Sequence, residues 1–460
     1  MHRLADELRR AGMSDAAAGD KARLFDRAFG ALCELTGGAL PAETRAIWVP
    51  GRIEFLGKHT DYAGGRSLLC AVEHGICAAV SPRADRRLRV RDALAGETIE
   101  GELDPALEPP LGHWANYPLT VARRVARNFP GALRGADIAF ASDLPPAAGM
   151  SSSSALIVAT FLALSAVNDL PERDEYRREI RGPEDLAGYL GTVENGQSFG
   201  SLAGDRGVGT FGGSEDHTAI LCARPRALVR YAFCPVRFEE LLPLPPDHTF
   251  VIAVSGVRAE KTGGALEAYN RASLRAAALV QLWRRATGED GTTLRGVLAS
   301  SADAAARLRD LLCSTEVPGF SGQELRDRLE HFLAESEEII PAAARALACR
   351  DLARLGELVD RSQELATRLL GNQVPETVTL ARQARELGAT AASAFGAGFG
   401  GSVWALVPAS SAEEFRARWE HAYRESFPEA AREARFFQTD AGPAALVLDL
   451  PSGLVAGLRS

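Results

Sequence analysis

The residues best suited to chemistry gather in three glycine-rich segments. Val49 to Gly65 reads VPGRIEFLGKHTDYAGG, Asp143 to Ser154 reads DLPPAAGMSSSS, and Ser393 to Ser402 reads SAFGAGFGGS. In the second, proline and small residues lead into four serines, where an apolar stretch suited to a helix begins. A helix N-terminus presents unpaired N–H groups and a partial positive charge, which suits phosphate oxygens. Serine hydroxyls there add hydrogen bonds or ligate a magnesium ion bridging the phosphates. An ordinary serine-capped helix would carry the same letters. The first segment nearly imitates a P-loop, GxxxxGK(S/T), but Gly51 lies six positions before Gly57 instead of five, and His59 separates Lys58 from Thr60. A phosphate cradle depends on consecutive N–H groups in fixed geometry, so the mismatch disqualifies it. The third segment contains Gly396-x-Gly398-x-x-Gly401, formally a dinucleotide fingerprint. That fingerprint must open a helix, whereas Ser402 to Val407 reads as a strand.

Elements must hold these segments. Ala46 to Val49, Ile53 to Leu56 and Leu68 to Val80 are apolar runs suited to strands, punctuated by Pro50-Gly51 and Gly64-Gly65. Ser154 to Val167 is nearly continuous in apolar residues and reads as a buried helix. Leu266 to Ala286 reads as a helix with Leu274, Ala278 and Leu282 on one face. Asp303 to Leu387 is helical in pattern, interrupted near Pro318-Gly319 and from Gly371 to Pro375. The chain, at 460 residues, is too long for one ordinary domain. The proline-rich stretch Leu241 to His248 is the expected seam, giving a two-lobed α+β protein with domains over 1–240 and 241–460. A hydrophobic content of 46% with 24% charged residues fits a globular chain, and a net charge of -8 gives no nucleic-acid footprint. The first residues are charged, with no apolar signal-peptide core, and no run approaches the ~18 apolar residues of a membrane span. Seven scattered cysteines without CxxC spacing argue against a disulfide framework or a zinc site. The expectation is a cytoplasmic protein, with neither nucleic acid nor membrane as partner, working as a monomer or weak homodimer.

Together and in this order, the three segments resemble the GHMP family of small-molecule kinases, and galactokinases in particular. The galactokinase signature, roughly G-R-(V/I)-N-(L/I)-(I/L)-G-E-H-T-D-Y-N-G-G, is matched from Gly51 to Gly65. The phosphate loop P-x-G-A-G-L-S-S-S-A is matched with substitutions from Pro145 to Ser154, and G-(G/A)-G-F-G-G-(C/S) from Gly396 to Ser402. His113 to Tyr117 is similar to a family segment near the adenine. Val257-Arg258 with Tyr269-Asn270-Arg271 is similar to the segment carrying a sugar-binding tyrosine. The resemblance implies a GHMP kinase fold, with a ribosomal-S5-domain-2-like N-terminal domain, a ferredoxin-like C-terminal domain and the active site between them. It implies transfer of the γ-phosphate of ATP, with Mg2+, to a hydroxyl of a free sugar. Asp216, within Gly213 to His217 where the family has G-x-M-D-Q, takes the place of the catalytic base, with Glu215 its local rival; Arg52 stands beside it. Ser153 and Glu194 match the magnesium ligands. Ala147, Ala148, Gly149, Met150, Ser151, Ser152 and Ser153, with Trp114 and Tyr117, fall to the nucleotide. Lys58, His59, Thr60, Asp61, Gly213 and Tyr269 fall to the sugar.

The departures carry information of their own. Lys58 stands where galactokinases have a glutamate that accepts a hydrogen bond from the sugar's 6-hydroxyl. Lysine has donors and no acceptor, which favours an anionic group. A galacto-configured sugar with an altered or acidic C6, such as galacturonate, therefore stands as an alternative to galactose. Equally, Lys58 turns outward or pairs with Glu54, itself a replacement for asparagine. Ala147, Met150 and Ser154 replace glycine, leucine and alanine in the phosphate loop. Ala391 to Phe395 replaces about G-S-R-M-T and so removes an arginine. Glu194 and Asp216 are 22 residues apart where the family has about a dozen, and the excess, roughly Ser201 to Thr210, is an insertion able to reshape the rim of the site. A galactokinase-like sensor without turnover would tend to lose parts of the serine loop. This chain keeps Ser151 to Ser154, Arg52 and Asp216, which favours an enzyme.

Overall fold

The computed structural model describes residues 1–38, 40–258, 263–289 and 291–449. Its first apolar run forms β1 (Arg45–Leu56), which continues through Pro50-Gly51 without breaking. Its register against β2 (Arg66–Pro82) shifts between Pro50 and Arg52. The reason is close approach: a Cβ on Gly51 would lie 2.5 Å from Leu144 Cδ2 and 2.9 Å from the Met150 carbonyl. The glycine lets the serine segment pack directly on the strand, and the bulge turns Arg52 toward it. Strands β3 (Arg87–Asp92), β4 (Thr98–Glu102), β5 (Ala136–Ser142), β6 (Ala227–Ala232) and β7 (Arg237–Pro243) follow. The long strand β2 alternates as a two-sided strand should. Leu68, Cys70, Val72, Ile76, Ala78 and Val80 enter the main core, while Cys77 and Ala79 face the helix Asp15–Thr36 on the other side.

The chain leaves this sheet after Pro243 and enters a second one at β8 (His248–Val254), which is joined by β9 (Ala391–Phe395), β10 (Ser402–Pro408) and β11 (Arg435–Thr439). A last strand, β12 (Leu446–Asp449), returns to pair with β1. The first sheet therefore runs β12-β1-β2-β5-β3-β4, with β6 beside β2 and β7 beside β6; the second runs β11-β8-β10-β9. Phe55 of β1 stacks on Trp404 of β10 with centroids 4.2 Å apart, and Phe250 of β8 meets the same indole edge-on at 6.0 Å. The two sheets thus share one core. Strand β10 directly follows the third glycine-rich segment, as expected for Ser402 to Val407.

The serine segment opens the helix Ser152–Asn168, buried on nearly every side. The helix read from Leu266 spans Gly263–Thr287, but Leu274 is 45% exposed, while Ala278 and Leu282 are buried. The buried stripe runs instead through Ala272, Ala276, Leu279 and Trp283, the neighbouring i, i+3, i+4 set. The helical region after Asp303 breaks where expected, and once more between Ala348 and Leu352. Two π-helical segments, Leu333–Ile339 and Ala366–Leu370, also interrupt it. Among the described residues, no helix is long and apolar enough to cross a membrane.

Candidate active site

A cavity of about 790 Å³ collects residues from all three glycine-rich segments. Its centre is an ion pair. Arg52, at the β1 bulge, sets Nε and NH2 at 2.8 and 2.7 Å from Asp216 Oδ1, and donates from NH1 to the Gly149 carbonyl at 2.5 Å. Asp216 stands in the first turn of the helix Glu215–Cys222. One guanidinium therefore ties the expected base to the serine loop. Burial opposes the Arg52 charge, but Asp216, Glu54 and Glu215 outweigh it and raise the guanidinium further above its ordinary value. The third segment closes over this pair: a Cβ on Gly396, where φ is +80°, would lie 2.8 Å from the Gly149 carbonyl and 3.3 Å from Arg52. Three other left-handed conformations in the site belong to residues bulkier than glycine, His59 (φ 58°), Ala147 (φ 51°) and Ser151 (φ 60°), and backbone held there marks sites over-determined by their surroundings.

Ser151, Ser152 and Ser153 line the cavity at the head of the Ser152–Asn168 helix. The buried Ser151 hydroxyl has no hydrogen-bond partner among the described residues, which leaves it for a ligand. Ala147 and Gly149 also line the cavity, but Ala148 and Met150 do not. The Ala148 carbonyl accepts from Ser402 Oγ at 2.6 Å and the Met150 carbonyl from Arg52 N at 3.4 Å, so both are turned into the protein. Ser154, the extra serine, donates to Glu194 Oε2 at 2.9 Å and lies 3.3 Å from Asp216 Oδ2. It joins two expected site residues that are 22 positions apart, a link hidden in the sequence behind a substitution for alanine. Trp114 and Tyr117 stand on an apolar part of the wall with Phe140, Leu144 and Leu156.

Another part of the wall is rich in carboxyls. His59, Asp61, Gly213 and Tyr269 all line it, and the His59 and Tyr269 rings lie 5.3 Å apart. The glycines are obligatory here: a Cβ on Gly212 would stand 2.5 Å from the Tyr269 hydroxyl, and one on Gly213 would collide with the Asp61 carboxylate. Asp61 Oδ2 accepts from Glu215 N at 3.1 Å. Burial raises the Asp61 carboxyl, pushes Glu215 well above the carboxylate range, and lifts Glu54 to about 7 against the pull of Lys58 and Arg52. Glu215 also accepts from Ser67 Oγ at 2.6 Å. Burial that disfavours the Glu215 carboxylate makes it the weaker proton acceptor of the two, while Asp216 is the carboxylate paired with Arg52.

Two expected sugar residues lie outside the wall. Thr60 is fully buried and donates to the Gly57 and Arg66 carbonyls at 2.9 and 2.7 Å, closing the turn. Lys58 neither faces the cavity nor turns outward. It is fully buried, with Nζ 2.8 Å from Ser393 Oγ and 3.4 Å from Ser362 Oγ. The two strongest departures from the galactokinase pattern, glutamate to lysine and arginine to serine, thus meet in space. Of the alternatives weighed for Lys58, the outward turn does not hold, and in place of an ion pair with Glu54 its ammonium bonds Ser393 and Ser362.

The insertion shapes the cavity, as its length suggested. Val208, Gly209 and Thr210 line it, and arginines of the helix Asn116–Asn128 anchor the loop behind them. Arg123 Nε bonds Asp205 at 2.7 Å, Arg127 donates to the Gly204 carbonyl at 2.6 Å, and Asn116 donates to the Val208 carbonyl at 3.0 Å. On the far side, Asn270 receives Phe211 N at 2.9 Å and donates to the Gly209 carbonyl at 3.2 Å. Thr210 Oγ1 lies 3.4 Å from Glu194 Oε1. Spacing alone announced extra residues there but not the side chains on distant helices that fix them.

Comparison with known proteins gives the family and the fold. Residues 37–82 match the galactokinase galactose-binding signature, residues 116–188 the N-terminal domain of GHMP kinases, and residues 339–425 their C-terminal domain. A galactokinase of Chloroflexus aggregans is 30% identical over 377 residues, covering 81% of this chain and 86% of its own length. One of Roseiflexus sp. is 30% identical over 386 residues, covering 83% and 88%. The fold is similar to that of the crystal structure of Lactococcus lactis galactokinase complexed with galactose. Its TM-score is 0.73 at 22% identity, covering 90% of this chain and 97% of that one.

Proposed function

Since the chain belongs to the GHMP kinase family, as a galactokinase-like, ATP-dependent sugar kinase, we propose that its acceptor is galactose, phosphorylated at the anomeric hydroxyl. One observation carries the reading: His59 and Asp61 of the galactose-binding signature, with Gly213 and Tyr269, line the same cavity as the Arg52–Asp216 pair. In this reading Asp216 accepts the proton of the attacking hydroxyl, and Arg52 holds the carboxylate ionised and offsets the charge developing on the transferred phosphoryl group. The serine loop cradles the phosphates, while the apolar wall at Trp114 and Tyr117 takes the base. Galacturonate as acceptor rested on Lys58, and the burial of that side chain removes its support.

Ser153 and Glu194 both line the cavity and offer only oxygen donors, which suits Mg2+. This ion is commonly held by one or two carboxylates together with substrate phosphates, not by a protein cage. In keeping with that, no cluster of three or more His, Cys, Asp or Glu fit for a metal exists among the described residues. When bound, Mg2+ would neutralise phosphate charge. The same proposal divides the chain into domains over 1–240 and 241–460, with the crossing between the sheets a few residues later, from Pro243 to His248. It also places the enzyme in the cytoplasm as a monomer or weak homodimer, a compartment that suits seven free cysteines.

The direct test measures ADP release with a panel of neutral and acidic sugars, identifying the phosphorylated carbon by NMR. Galactose is expected to give the highest kcat/KM and a 1-phosphate product; release that is independent of galactose would sink the assignment. A second test addresses the nucleotide. Ser152→Glu puts a carboxylate at the phosphate loop and is expected to weaken ATP binding by ~10-fold or more through like-charge repulsion. Undiminished affinity in calorimetry, with the fold intact by circular dichroism, would contradict this placement.

A further inference from the structure

Three side chains around the acceptor part of the cavity differ in charge or polarity from the galactokinase pattern: Glu54 replaces asparagine, Glu215 methionine and His217 glutamine, and all three line the wall. Glu54 is 3% exposed, and its Oε1 has no hydrogen-bond partner among the described residues. Glu215 stands beside it, held in place by Ser67 Oγ and by its own N–H to Asp61. Among the described residues, four carboxyls, Glu54, Asp61, Glu215 and Asp216, therefore line this part of the wall beside one guanidinium, that of Arg52, which is paired with Asp216. Lys58, the other cation close to Glu54, lies behind the wall on Ser393.

We propose that Glu54 is a specificity-determining residue of the acceptor site, which admits a galacto-configured sugar presenting a hydroxyl or an ammonium group to this wall and turns away one presenting a carboxylate. The inference rests on the sugar assignment above. A carboxyl with an unpaired buried oxygen offers an acceptor to a donor group, and a second carboxylate offers it none. The charge acts even without contact, because like charges in a water-poor cleft repel strongly. The charge of Glu54 depends on its neighbours: Lys58, Arg52 and the Glu215 carboxyl on the Glu215–Cys222 helix favour the ionised form, while Glu335 on the Leu333–Ile339 segment opposes it, and Asp61 and Asp216 act on Glu215. Burial is the largest influence and brings the group to about 7, so the discrimination must strengthen as pH rises through neutrality.

The experiment compares kcat/KM for galactosamine, galactose and galacturonate in full-length wild type, Glu54→Gln and Glu54→Asn, at about pH 6 and about pH 8. In wild type, galacturonate is expected to fall ~10-fold or more below galactose, with the gap widening from pH 6 to pH 8. Both variants narrow the gap and flatten its pH dependence, while the KM for ATP stays unchanged. A galactosamine-to-galactose ratio that drops in the variants identifies an ammonium as the group read; a constant ratio identifies the hydroxyl. A galacturonate-to-galactose ratio that is independent of pH in wild type and unmoved by either substitution, with galactose still turned over, overturns this inference alone. Wild type inert toward galactose overturns the sugar assignment and takes the inference with it. Should neither variant fold, the pH arm in wild type decides.

Discussion

Asp216→Asn is expected to lower kcat by ~10²–10⁴-fold, the usual contribution of a general base, with the KM for ATP nearly unchanged. Asparagine keeps the shape of the side chain and its hydrogen bond from Arg52, but it cannot take the proton of the attacking hydroxyl. The other carboxyls around it are poor substitutes. Glu215 is pushed well above the carboxylate range by burial and by Glu54 and Asp61, and it is already bonded to Ser67. Glu54 is lifted to about 7 by burial, and its ion-pair partner is not Arg52, whose short contacts go to Asp216. Asp216 alone is held by a guanidinium that favours its ionised form, with two short contacts to one oxygen. The substitution also leaves the buried Arg52 charge without its counterion, so the melting temperature is followed beside the kinetics. Turnover within a few-fold of wild type would assign the base elsewhere, and Glu54→Gln in the Asp216→Asn background would be the next measurement.

What could be read from the letters was what short stretches determine by themselves. The serine segment announced a helix start because proline, glycine and small residues precede an apolar run. The third segment announced a strand because Ser402 to Val407 is apolar and β-branched where a dinucleotide loop would need a helix. Arg52 and Asp216, 164 residues apart, were paired through the resemblance and not by any spacing of their own. Pairings without such a pattern stayed hidden. Ser154 joining Glu194 to Asp216, the Asp205 anchor under the insertion, and Glu335 accepting a hydrogen bond from Gly57 N each depend on chain segments that come together only in the folded core. Leu274 was placed on the wrong face because one-turn spacing holds equally for two adjacent stripes of a helix, and only the neighbours choose between them. Lys58 was read against an imagined ligand because its actual partner, Ser393, is 335 residues away.

That partner changes the expected result for Lys58→Glu. With Lys58 in the acceptor wall, the substitution would have moved sugar preference toward galactose; with Lys58 buried on Ser393, it acts on stability. Lys58 has no exposed surface, and its ammonium lowers the buried carboxyl of Glu54 toward the ionised form. Glu335, also fully buried, accepts from Gly57 N at 2.8 Å through Oε1, while its Oε2 has no hydrogen-bond partner among the described residues. Removing the cation and adding a third carboxyl to this pocket is expected to cost about 3–5 kcal/mol, the usual price of a buried charge left uncompensated. For a 460-residue chain unfolding as one unit, at ~2.1 cal/mol/K of unfolding entropy per residue, that corresponds to a fall of roughly 3–5 °C in Tm. Ser393→Arg alone places a second buried cation against Lys58 and is expected to destabilise as well. The double variant Lys58→Glu/Ser393→Arg restores opposite charges across the same contact, in the arrangement the galactokinase pattern has at these two positions, and is expected to recover at least half of the loss. Thermal and denaturant unfolding of the four proteins gives the coupling directly, since two mutually compensating substitutions depart from additivity while independent ones do not. Additive losses, or a Lys58→Glu protein that melts like wild type and shifts its sugar preference, would return Lys58 to the acceptor site.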